Sequence, residues 1–214
     1  MNTLNDQLLV VVILINIFIL GTHRTQVAIR AIAVQGALLG LLPLLAHTFN
    51  GRILLVTLIV FFAKGFFIPW MLLRALKKVE FTEDLQPFLG YSGNVISGAL
   101  ATVVAFVWSN HLPLAPMHQG LLTLPASLAT FLCGFIALAS RRKAINQVVG
   151  YLMLENGIFI FGTLLTEAMP LMVEAGAILD LLAGIFVMGI IINHISREFS
   201  SIDTSRMTAL REVE

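Results

Sequence analysis

Apolar residues fill this chain in long unbroken runs, rather than in the alternating or one-faced patterns of soluble strands and helices. Runs of about 20 such residues, enough to cross roughly 30 Å of hydrocarbon, predict helices over 4–21, 25–47, 52–75, 92–110, 119–140, 144–166 and 170–195. Breaker and turn residues separate them: Gly21-Thr22-His23-Arg24, Phe49-Asn50-Gly51-Arg52, the polar stretch from Arg74 to Gly90, Asn110-His111-Leu112-Pro113 and Thr166-Glu167-Ala168-Met169-Pro170. The expected fold is all-α and polytopic, with about seven transmembrane helices.

Composition agrees with the pattern. Of 214 residues, 58% are hydrophobic and 12% charged, with a mean hydropathy of +0.93, whereas soluble chains carry about 25% charged residues. A water-soluble fold of this length cannot be covered with so little polar surface. No repeat of fixed period and no long linker divides the chain, so residues 1–214 read as a single helical membrane domain. The formal net charge of +1 gives no basic field for nucleic acid. The lone Cys133 and the scattered His23, His47, His111, His118 and His194 offer no set of ligands for a metal or an iron–sulfur cluster. No cofactor is expected in this chain. The opening Met1-Asn2-Thr3-Leu4-Asn5-Asp6 lacks the basic segment of a secretory signal, so the first helix is expected to stay.

Positively charged loops are retained on the cytoplasmic side. Arg24, the group Arg74, Lys77 and Lys78, the group Arg141, Arg142 and Lys143, and finally Arg197, Arg206 and Arg211 fall on one side, against Arg52 alone on the other. The N-terminus is expected outside and the tail in the cytoplasm, as an odd number of spans requires. The connection from Arg74 to Gly90 also carries Glu80, Glu83 and Asp84, and reads equally as a solvated loop or as a seat for a peripheral subunit.

Three ionisable residues stay deep in apolar helices: Lys64, Glu155 and Asp180. Each costs roughly 2.5–3.5 kcal/mol at a helix centre, where leucine would cost nothing. Such residues mark ion or proton pathways, although buried pairs retained for helix registry also exist. Glu155 and Asp180 lie at similar distances before and after the turn at Pro170. At 1.5 Å per residue both sit about 15–18 Å below the outer surface, so they are expected level on neighbouring antiparallel helices. Two carboxylates in low dielectric repel when both are ionised, which suits the uptake and release of one proton. Gly176, Asp180 and Gly184 share a stripe with Ala183 beside it, turning Asp180 toward protein. Gly150, Gly157 and Gly162 around Glu155 read mainly as sites of close packing. Lys64 precedes Pro69, which has no amide hydrogen to give to the carbonyl of Gly65, so a freed carbonyl and a kink are expected beside the ammonium group. If charged, Lys64 requires a carboxylate from Glu155, Asp180 or another subunit. Arg30 and Gln35 read as structural, and Trp70, Trp108 and Tyr91 as interfacial anchors.

The segment Gly150-Tyr151-Leu152-Met153-Leu154-Glu155-Asn156-Gly157 resembles the Gly-Tyr-x-x-x-Glu-Asn-Gly stretch of component E of hydrogenase-4. Leu171-Met172-Val173-Glu174-Ala175-Gly176 through Asp180, the span with Lys64 and Pro69, and the tail from Ile202-Asp203 to Thr208-Ala209-Leu210-Arg211 resemble the same family. Its last helices, here about 141–196 ahead of a cytoplasmic tail at 197–214, are similar to the small K subunit of respiratory complex I, which carries two intramembrane glutamates. By that resemblance Glu155 corresponds to the first, and Asp180 takes the second position with a shorter acid. The first four spans have no counterpart there.

The resemblance implies a non-catalytic membrane subunit of a hydrogenase-type assembly, such as a formate hydrogenlyase-like complex, in a prokaryotic cell membrane. Its partners would be antiporter-like and complex I-like membrane subunits and a peripheral hydrogenase arm. Nickel–iron and iron–sulfur centres would lie in those partners, and Lys64, Glu155 and Asp180 would relay protons or sodium ions. The residues themselves also allow a free-standing secondary transporter or cation antiporter component, or a structural adaptor.

Overall fold

The computed structural model describes residues 2–46, 51–77, 90–112, 121–141 and 144–165, together with Gly189. Among them six helices are long and apolar enough to cross a membrane, and no strand occurs. Helix is the form that such sequences take in lipid, because it bonds every interior amide and carbonyl within one segment. The expected seventh helix, with Asp180, Gly176, Ala183 and Gly184, lies outside the described residues, as does most of the Arg74–Gly90 connection.

Helices α1 (Asn2–Gly21) and α2 (Thr25–Ala46) meet at the predicted break. The third span is composite: α3 (Gly51–Phe62), a π-helical turn (Ala63–Phe67) and α4 (Ile68–Lys77). Then follow α5 (Gly90–Ser109), α6 (Thr123–Ser140) and α7 (Ala144–Leu165). Helix α6 begins four residues later than its apolar run implies, because Gly120 to Leu122 precede its first full turn.

Side-chain bonds tie one end of the bundle together. Thr25 at the start of α2 donates to Asn146 near the start of α7 at 3.0 Å, and Asn94 early in α5 donates to Ser140 at the end of α6 at 3.1 Å. Leu72 of α4 packs in the same apolar cluster as Ile19, Ala28 and Val148. The segments carrying Arg24, Arg74 and Arg141 therefore converge on one end, as the distribution of basic residues implies.

Arg141 follows the last residue of α6, in the connection where it is expected. It is only 2% exposed, and its guanidinium donates to the carbonyl of Ile19 at 2.9 Å. That oxygen belongs to the last turn of α1, where carbonyls have no amide partner and a cation meets the negative end of the helix dipole. Burial pulls the Arg141 guanidinium down to about 10, with Tyr91 acting in the opposite direction. It therefore remains a cation at neutral pH.

Two contacts bring backbones close. A Cβ on Gly36 of α2 would stand 2.7 Å from the Lys64 carbonyl oxygen, and one on Gly40 would stand 2.7 Å from the Phe61 Cα. Between α6 and α7, a Cβ on Gly134, Gly150 or Gly157 would lie 2.3–2.5 Å from backbone atoms of the facing helix. Gly150 and Gly157 thus have the packing role expected of them. A Cβ on Gly162 would meet nothing within 4 Å among the described residues.

Candidate functional site

The bundle interior is layered. One apolar cluster gathers Ile19 and Leu20 of α1, Ile29 of α2, Leu72 of α4, Cys133 of α6 and Met153 of α7. A second, toward the other end, gathers Leu9, Leu39, Val60, Ala126 and Ile160. On each of these five spans a buried polar residue falls between its members of the two clusters: Asn16, Gln35, Lys64, Thr130, and Glu155 followed by Asn156. Five independent helices therefore contribute to one polar layer deep in the apolar interior.

At its centre the Lys64 Nζ lies 2.8 Å from the Glu155 Oε1, with both side chains buried. The same ammonium stands 4.9 Å from the centre of the Phe159 ring, one turn along α7 from Glu155. Hydrocarbon on both sides lowers the local dielectric, which strengthens the attraction and raises the cost of separating the pair. Glu155, among the candidate partners for Lys64, is the one that the structure places in contact. Its relation to Asp180 falls outside the described residues.

The π turn determines how Lys64 enters. The Ile68 amide reaches back to the Ala63 carbonyl, five residues away. Pro69, with no amide hydrogen to give, follows directly on this turn. The Lys64 backbone is also what Gly36 allows α2 to approach. A π turn inside a helix widens it by one residue and re-aims the side chains it carries; here it carries a lysine toward α7.

Beside the pair is a cavity of about 10 Å³, lined by Lys64, Glu155 and Asn156 and by the apolar Ile32, Ile68 and Leu152. Asn156 is 3% exposed, and its amide nitrogen has no hydrogen-bond partner among the described residues.

A string of neutral polar groups forms the rest of the layer. Gln35 donates to Asn16 at 2.9 Å, Asn16 donates to Thr130 at 2.8 Å, and Thr130 donates to the Ala126 carbonyl at 2.8 Å. Asn16, Thr130 and Asn156 have no place among the candidates drawn from ionisable residues. Their signal is weaker: an uncharged polar side chain interrupting an apolar run, which also requires a partner when buried. Arg30, by contrast, is exposed, and Trp70 and Trp108 project from the bundle. Arg74 stacks on Trp70 with its guanidinium 5.5 Å from the ring centre.

Among known proteins, the chain is 30% identical over 205 residues to the uncharacterized protein Rv0085 of Mycobacterium tuberculosis, a match covering 94% of this chain and 92% of that one. It belongs to the Rv0085 family. The chain is also 33% identical over 97 residues to hydrogenase-4 component E of Escherichia coli K12 and of Shigella flexneri, and those matches cover 45% of each chain. No family model and no solved structure matches the chain.

Proposed function

We propose that this protein is a non-catalytic integral membrane subunit of a hydrogenase-type, complex I-related assembly, and that its buried charges relay protons or sodium ions. The similarity to hydrogenase-4 component E supports the assembly, over just under half of either chain. The observation that carries the relay is the 2.8 Å contact between Lys64 and Glu155 inside a layer to which five spans contribute polar groups. A charge pair costs more than apolar packing in such a place, so its retention calls for a use.

In this reading Glu155 is the proton carrier and Lys64 sets the charge around it. A protonated Glu155 no longer holds the ammonium, so each proton that arrives or leaves changes the attraction between the third span and α7. That is a local means of coupling proton occupancy to helix position. Asp180 is proposed as a second carrier on the following helix. Redox chemistry would reside in peripheral partners, with antiporter-like and complex I-like subunits alongside in a prokaryotic cell membrane.

Isolation with its partners and ion transport by the reconstituted assembly test both parts. Hydrogenase and antiporter-like subunits are expected to copurify with this chain. Glu155→Gln or Asp180→Asn is expected to leave the subunits associated while reducing ions moved per turnover. Purification alone contradicts the assembly, and undiminished transport in both variants reduces the acids to packing elements.

A further inference from the structure

The cavity beside the ion pair has the makings of a specific site. A space of about 10 Å³ is at the threshold for one water, and a buried water needs two to four polar partners to remain there. Three residues with polar side chains line this one: Lys64, Glu155 and Asn156. Asn156 supplies the decisive observation, because its Nδ2 is a buried donor without a partner among the described residues. Leaving such a donor unsatisfied forfeits the hydrogen bonds it makes in water. The remaining lining residues, Ile32, Gly36, Ile68 and Leu152, bring no polar side chain.

We propose that this cavity is a binding site for a single water molecule, held by Asn156 against the Lys64–Glu155 pair. The water oxygen accepts from Asn156 Nδ2 and from the Lys64 ammonium, and one of its hydrogens is donated to the Glu155 carboxylate. Asn156 is thus a positioning residue, acting on Glu155 through the water. The site stands on the orphaned donor and the cavity; its part in a relay rests on the function proposed above.

The full chain in lipid nanodiscs, measured by infrared difference spectroscopy between H₂¹⁶O and H₂¹⁸O, tests the site without reference to transport. An internal water with few partners gives an isotope-sensitive O–H stretch separated from the bulk band. The expected result is one such band that disappears in Asn156→Leu, close in size to asparagine but without a donor, and persists in Asn156→Ser. Circular dichroism checks that the variants remain helical; if Asn156→Leu does not fold, the wild-type and Asn156→Ser spectra decide. Absence of the band from the wild-type chain, or its persistence unchanged in Asn156→Leu, overturns the proposal. A band that behaves as expected alongside normal ion transport in Glu155→Gln keeps the water site and removes the relay.

Discussion

Removing Lys64 alone takes the cation from a carboxylate that is 2% exposed. Breaking a buried pair from one side costs about 3–5 kcal/mol. Lys64→Met is therefore expected to destabilise the chain by that order in reversible unfolding from mixed micelles, whereas Leu14→Ala on the outward face of α1 shifts the midpoint little. Thr130→Val removes the acceptor for Asn16 and is expected to cost about 1–3 kcal/mol by the same measurement. The charged half of the layer was legible in the sequence because an ionisable group in an apolar run carries a large insertion cost. Asn16 and Thr130 were not, because a single amide or hydroxyl is tolerated in many helices, and only the facing helix shows whether it has a partner. The burial of Arg141 was not legible for a related reason. Its neighbours Arg142 and Lys143 mark a basic loop, while its burial depends on the end of α1, more than a hundred residues earlier.

The number and approximate extent of the described helices follow from run length alone, but their contacts depend on where side chains vanish. Glycine signals close approach without naming the neighbour: Gly150 and Gly157 meet the backbone of α6. Gly150→Val is expected to push α6 and α7 apart and cost about 1–3 kcal/mol as overpacking. Reversible unfolding of this variant beside the wild-type chain checks the packing. Pro69 announced a broken hydrogen-bond ladder. The π turn that meets it, with Lys64 set between Gly36 and Glu155, lies beyond any local pattern.

Among the described residues, Arg24, Arg74 and Arg141 gather at one end, and a polar layer separates two apolar clusters. The charge bias predicts that the end carrying His23 faces the cytoplasm and the end carrying Asn110 faces outward. Single cysteines at these exposed positions, in a Cys133→Ala chain, test this with a membrane-impermeant maleimide: Asn110→Cys is expected to label in intact cells, and His23→Cys only after permeabilisation. The central claim is that the ion pair serves transport rather than registry. Replacing both partners at once separates these roles, because a buried pair exchanged for apolar residues of similar volume is often neutral or stabilising. The direct measurement is therefore ion translocation per turnover by an assembled complex carrying Lys64→Met together with Glu155→Met. Normal assembly with translocation lost is the predicted result; normal assembly with translocation at the wild-type level contradicts the account.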